Sequence, residues 1–214
     1  MEPLAGSGAG VLLCAPLRCE AAALRGASEA SVLRTGLGPW RSARRGAGVE
    51  LGDRVLVVAG LGGGVGATGT GTVVVAEEVR DEAGAVPLPG AAGLAARLRA
   101  AGFPVLLGPV ASADHVVRGP ERARLAEAGA VAVDMESIAL ARSTTGRLRA
   151  VVRVVVDTAA APLVHPRTPD RGARALLRLR AIAPHLTSWA AELSPERCRP
   201  GRSPSVRNSS KCWR

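Results

Sequence analysis

Short apolar runs and amphipathic stretches alternate along most of the chain. Runs of strand length occupy 11–14, 32–34, 54–59, 72–79, 105–110, 130–133 and 149–156, and helix-like segments occupy 20–25, 91–101, 119–128 and 136–143. This alternation predicts an α/β fold. Several runs carry valine on both parities, as in TVVVAEEV and VVRVVV, which is the pattern of central strands covered on both faces. A last helix is predicted over 171–192, where Ala175, Leu176, Leu179, Ile182, Leu186 and Trp189 form an apolar stripe and Pro184 is a point of bending or interruption. After Leu193 the composition changes to SPERCRPGRSPSVRNSSKCWR, which holds the only Asn and the only Lys of the chain. One domain is expected over 1–193, followed by a disordered tail over 194–214.

Composition narrows the classes of function. The 214 residues suffice for one sizeable core, and no apolar run approaches the roughly 20 residues needed to span a bilayer. The beginning, MEPLAGSGAGVLLCAPLRCE, has no basic leader before its apolar run, so a soluble, cytoplasmic protein is expected. Four cysteines without a CxxC pair are expected to be reduced thiols, with no structural zinc and no other metal. The net charge of +10 points first to a polyanionic partner, but of the 28 Lys and Arg residues only Lys211 is a lysine, and the arginines are spread along the chain. With no Tyr, one Phe and three Trp there are few platforms on which bases of a nucleic acid could stack. Nucleic acid is therefore not the expected partner, whereas a phosphate-bearing ligand or peripheral contact with a membrane surface is compatible with the charge.

Four segments carry candidate chemistry. Gly60-Leu61-Gly62-Gly63-Gly64-Val65-Gly66-Ala67 is expected as a loop directly after a buried strand, where glycines let backbone N–H groups approach a sugar or phosphate closely. Gly62 to Ala67 fits a GxGxxA pattern, but the next run reads as a strand, so a dinucleotide loop lacks its helix, and a Walker A loop lacks its lysine. Arg34-Thr35-Gly36-Leu37-Gly38-Pro39 is a second glycine turn at a strand end. In Val133-Asp134-Met135-Glu136-Ser137 a strand runs into two carboxylates, which are either helix-capping groups or ligands for a substrate. Finally, Arg153-Val154-Val155-Val156-Asp157-Thr158 ends an apolar strand on one aspartate, which either caps a turn or, when desolvated, serves as a general acid.

Taken in order, CAPLRCEAAALR, RTGLGP, AGLGGGV, TVVVAEEV, SADHVV, VAVDMES and VRVVVDTA resemble the successive signatures of the methylthioadenosine and adenosylhomocysteine nucleosidases and related purine nucleoside phosphorylases, over roughly residues 11 to 190. DMES followed by the strand-terminal DTA is the most specific part. The resemblance implies a single three-layer domain with a central mixed, twisted β-sheet flanked by helices. It implies cleavage of the N-glycosidic bond of a purine nucleoside, adenine in the first instance, by phosphorolysis or hydrolysis. The sequence is also similar to the hopanoid-associated phosphorylase branch, whose substrate is adenosylhopane, a lipid with an adenosyl head. A noncatalytic nucleoside- or lipid-binding paralogue of the same fold is the alternative.

The site follows from the same resemblance. Asp157 matches the general acid at purine N7, Glu136 the acceptor of ribose hydroxyls, and Met135 the apolar surface under the sugar. Glu20 matches the glutamate that orients water in the hydrolases, and Arg18 of Pro16-Leu17-Arg18 matches the arginine that holds phosphate in the phosphorylases. Gly36, Gly62 and Gly63 are expected around the phosphate or water, and the backbone near Val116 and Val117 is expected to hold the base. No cofactor is implied, with inorganic phosphate as co-substrate only if the chain is a phosphorylase, and a homo-oligomer is expected. Two departures stand out. Leu61 replaces the usual small hydroxyl residue of the second glycine loop, and the phenylalanine that stacks on the base has no counterpart, because Phe103 lies between a helix and a strand. Of the histidines, His115 lies nearest the base region, while His165 falls in a loop and His185 in the last helix.

Overall fold

The computed structural model describes residues 10–49, 52, 54–144 and 146–193, so the expected tail and two of the cysteines, Cys198 and Cys212, lie outside the described residues. The chain order is β1 (Val11–Ala15), α1 (Arg18–Arg25), β2 (Ser31–Arg34), α2 (Pro39–Ala47), β3 (Val55–Gly64), β4 (Val73–Asp81), β5 (Gly84–Pro87), α3 (Ala91–Ala100), β6 (Val105–Ser112), α4 (Gly119–Glu127), β7 (Ala132–Asp134), α5 (Ser137–Ser143), β8 (Leu148–Asp157) and α6 (Thr168–Glu192). These eight strands join one mixed sheet in the order β2-β1-β3-β7-β6-β4-β5, with β8 pairing both β3 and β4. That double pairing curls the sheet until β3, β8, β4, β6 and β7 close into a ring. Helices flank it: α6 packs on β1, β3 and β8 and against both α1 and α3, while α2 packs on α5, which lies against β4, β5 and β8.

The valine-rich strands are covered on both faces, as their patterning predicts. Val55 to Ala59, Val73 to Ala76 and Ala150 to Val152 are fully or almost fully buried. The long helix α6 lays Leu179, Ile182, Ala183, Leu186 and Ala190 against this core, and it runs unbroken through Pro184. A second, smaller cluster of Val65, Ala111, Val117, Ala130 and Val133 sits under α4, apart from the main core.

Two elements were not legible. Helix α2 buries only Ser42 and Gly46 and has no apolar stripe to announce it; it starts on Pro39 after Gly38, whose φ of 91° suits glycine alone. Strand β5 is four residues long and mostly exposed at the sheet edge.

The glycine run is the main correction. Instead of a loop after β3 it continues the strand through Gly64, paired with Arg153 to Asp157 of β8. Close packing rather than turning accounts for glycine there: a Cβ on Gly64 would stand 2.5 Å from the Thr68 carbonyl and 2.9 Å from Cγ1 of Val155. The extension brings the ends of β3, β7 and β8 to one place, beside the start of α1.

Candidate active site

A cavity of about 310 Å³ opens at these strand ends. Glu20, Leu61, Gly62, Gly63, Val116, Val117, Met135, Glu136 and Asp157 all line it, so residues far apart in the chain face one hollow. Among the described residues no group of three or more His, Cys, Asp or Glu could hold a metal ion.

Glu20 stands in the first turn of α1 and is 1% exposed. Its Oε2 accepts the N–H of Leu17 at 2.7 Å, closing the helix start, and its Oε1 accepts the N–H of Leu61 at 2.7 Å. Leu61 thus contributes its backbone rather than a side-chain hydroxyl. Burial raises the Glu20 carboxyl above the ordinary range, against the opposing pull of the Leu61 hydrogen bond and of Arg153.

Glu136 immediately precedes α5, 3% exposed, and its Oε1 accepts the N–H of Gly38 at 3.0 Å. The second glycine turn therefore orients this carboxylate. Gly36 itself is absent from the cavity lining, its carbonyl accepting the Ser42 hydroxyl at 3.1 Å, while the adjacent Leu37 lines the cavity. Burial raises the Glu136 carboxyl too, opposed by Arg153.

The two carboxylates around Met135 have different tasks. Asp134 is the capping group: its Oδ1 accepts the N–H groups of Glu136 and Ser137 at 3.2 Å and the Ser112 hydroxyl at 2.6 Å. Its Oδ2 accepts Nε of Arg153 at 2.8 Å and the Ser137 hydroxyl. Burial pushes this carboxyl up, but Arg153 and the hydrogen bonds outweigh it and hold it below the ordinary range.

Arg153, fully buried, is the hub of the site and was hidden in an apolar run. Its Nη2 lies 2.7 Å from Asp134 and 3.5 Å from Glu136 and donates to the Ser137 hydroxyl at 2.9 Å; its Nη1 is buried without a partner. Desolvation acts against its charge, yet Asp134, Glu136 and Glu20 together raise its basicity. A charge inside a central strand was the available signal, since such a group must find counter-charges.

Asp157, at the end of β8, forms an ion pair with Arg122 of α4, whose Nη2 donates to Oδ2 at 2.6 Å and to the Val117 carbonyl at 3.2 Å. Arg122 is 6% exposed and lines the cavity, and its Nε is buried without a partner. Nothing in PERARL distinguishes this arginine from its solvated neighbours. Arg18 is corrected in the opposite direction: it is exposed on α1 and is not among the lining residues, because the first turn directs Glu20 inward instead. At the mouth, His115 stands between Asp114 at 2.7 Å and Glu121 at 2.9 Å, largely exposed, and both carboxylates raise its basicity. His165 is exposed, and His185 packs edge-on against Phe103 with ring centroids 5.6 Å apart, and neither lines the cavity.

No family model matches the chain, and no curated protein matches it in sequence. Solved structures do. A Helicobacter pylori MTAN mutant with 5′-methylthioadenosine in its active site superposes with a TM-score of 0.71 over 86% of this chain and 99% of that one, at 16% identity. The Neisseria meningitidis 5′-methylthioadenosine/S-adenosylhomocysteine nucleosidase in complex with methylthio-immucillin-A gives 0.70 over 83% and 98%, at 18% identity. A futalosine hydrolase mutant of Helicobacter pylori gives 0.69 over 85% and 98%, at 16% identity. The chain has the nucleosidase fold. The mixed sheet flanked by helices and the full coverage of those chains establish it. No helix among the described residues is long and apolar enough to cross a membrane.

Proposed function

We propose that this chain hydrolyses the N-glycosidic bond of a purine nucleoside. The observation that carries the reading is the single cavity bounded by Glu20, Glu136 and Asp157, three carboxylates suited to water, sugar and base. Glu136 accepts the ribose hydroxyls while Met135 packs against the ring. A proton that Asp157 takes up from solvent as the purine binds passes to N7, and the carboxylate left behind is again paired with Arg122, 2.6 Å away in the resting site. The C1′–N9 electron pair leaves with the base, and the sugar becomes oxocarbenium-like beside Glu136 and Glu20, whose charge favours that state. Water, oriented by Glu20, which lines the cavity, then adds to C1′ and gives its proton to Glu20.

Water is favoured over phosphate by charge. Phosphate would have to enter beside Glu20, Asp134 and Glu136, with Arg153 sealed behind them and the charge of Arg122 already met by Asp157, while Arg18 stays on the surface. Leu37, Val116 and Leu163 complete the lining, so a nucleoside with an apolar group on its ribose suits the cavity, whether a small alkylthio group or a lipid chain. The test is product analysis of purine nucleosides incubated with the chain, with and without phosphate. Free base and free ribosyl compound, independent of phosphate, are expected. Ribosyl phosphate would replace hydrolysis by phosphorolysis, and tight binding without base release would make the chain a noncatalytic binder.

A further inference from the structure

Arg122 makes the base end of the cavity rich in donors. An exocyclic amino group on a purine needs acceptors, and the Asp157 carboxylate and the Val117 carbonyl are the ones at hand. Nη2 of Arg122 already donates to Oδ2 of Asp157 and to the carbonyl, at 2.6 and 3.2 Å, which leaves Oδ1 of Asp157 for the proton at N7 and no further acceptor for an amino group. Nη1 of the same guanidinium has no acceptor among the described residues, in a side chain 6% exposed that lines the cavity, while Nε is sealed within the protein. A buried donor without a partner is costly, so the ligand that binds here best is one that supplies an acceptor. Gly63 fixes the arrangement: a Cβ there would stand 2.8 Å from Nη2 of Arg122 and 3.3 Å from Oδ1 of Asp157, so both groups lie against bare backbone and cannot retreat through it.

The edge of a purine that carries N7 tells the two base classes apart. With a carbonyl at C6 that edge presents two acceptors, N7 and O6, the pattern an arginine reads; with an amino group it presents an acceptor and a donor, which an amide reads. We infer that Arg122 is a specificity-determining residue that selects a 6-oxopurine base, with Asp157 at N7 and the Arg122 guanidinium at O6, over the 6-aminopurine that the sequence resemblance implies. The inference rests on the nucleosidase reading for its catalytic test but not for its binding test.

The first measurement compares 5′-methylthioinosine with 5′-methylthioadenosine as substrates of the unaltered chain, and hypoxanthine with adenine as ligands by calorimetry. The oxo substrate is expected to have the higher kcat/KM by about a hundredfold or more, since a site built to satisfy a substrate acceptor rejects the analogue without it. Hypoxanthine is expected to bind more tightly than adenine by at least about tenfold. Equal or reversed preference in binding overturns the inference even where catalysis is present. Release of neither base, with hypoxanthine still bound more tightly, overturns the hydrolase reading and leaves this one standing. In Arg122→Met the oxo-to-amino ratio should collapse to within about tenfold. Arg122→Lys, which keeps a buried cation for Asp157 but cannot present the fork, should retain folding and lose most of the ratio. An unchanged ratio in the folded lysine variant overturns the assignment to this side chain.

Discussion

Gly60 and Arg153 are partners in the ladder between β3 and β8, and the guanidinium of the arginine reaches across the glycine. A Cβ on Gly60 would stand 2.7 Å from Nη1 of Arg153 and 2.9 Å from Oε1 of Glu20. Neither atom is free to move, because Arg153 is held by Asp134 and Ser137 and Glu20 by two backbone N–H groups. Gly60→Ala is therefore expected to lower base release by about tenfold or more while costing about 1–3 kcal/mol of stability by overcrowding. Steady-state kinetics beside thermal denaturation check it; normal turnover in the alanine variant would show that the two side chains need not stay where they lie.

Glu20→Gln should separate activity from stability. Loss of the proton acceptor is expected to reduce turnover by about a hundredfold to ten-thousandfold. Stability should move the other way. Burial raises the folded carboxyl above its ordinary value of 4.5, so the folded chain binds a proton that the unfolded chain releases, and this contribution falls as pH rises from about 4.5 towards the folded value. Above that window the ionised, buried carboxylate is a standing cost that glutamine lacks. Denaturation midpoints at about pH 5 and about pH 8 should show the variant gaining on the native chain at the higher pH, and a variant losing ground there contradicts the assignment.

Asp157→Asn is expected to cut base release by about a hundredfold or more. The ion pair with Arg122 adds a cost: asparagine leaves a buried guanidinium without its counter-charge, for a loss of about 3–5 kcal/mol. Single-turnover base release measured with denaturant unfolding distinguishes the two effects, and undiminished turnover would remove Asp157 from the chemistry.

Arg153→Met should be the most damaging of these changes. It strands Asp134, Glu136 and Glu20 in one buried place, and removing one partner of a buried pair costs about 3–5 kcal/mol. In the native chain Asp134 sits below its ordinary 3.8, so its contribution is present above that value and is lost as pH falls through the folded one. Without the arginine this contribution reverses, and stability should fall as pH rises from about 4 to about 8. Chemical unfolding across that range is the check, and a flat profile in the variant would show the three carboxylates to be independent of it.

Strand runs, helix stripes and the pairing of DMES with a later strand-terminal aspartate were legible because each depends on local order or on apolar periodicity. Seven of the strands and five of the helices lie near their expected places. The end of β3 was not legible, since a glycine run carries the same composition whether it turns or is crossed by a neighbour's side chain. Arg153 and Arg122 were missed for a related reason. Their roles come from partners 19 and 35 residues away, and nothing adjacent in sequence records such pairings. Arg18 and Glu20 were equal candidates in the sequence, and the pitch of a single helical turn decided between surface and interior.

The satellite cluster beneath α4 gives one wall of the cavity a footing of its own. The groups assigned to breaking the bond, Glu20, Glu136 and Arg153, are anchored in β3, β8 and the starts of α1 and α5, whereas Val117 and the helix bearing Arg122 rest on the small core of Val65, Ala111, Ala130 and Val133. Replacements in that minor layer therefore reach Val117 and Arg122 first, and through the ion pair Asp157, before they touch Glu20, Glu136 or Arg153.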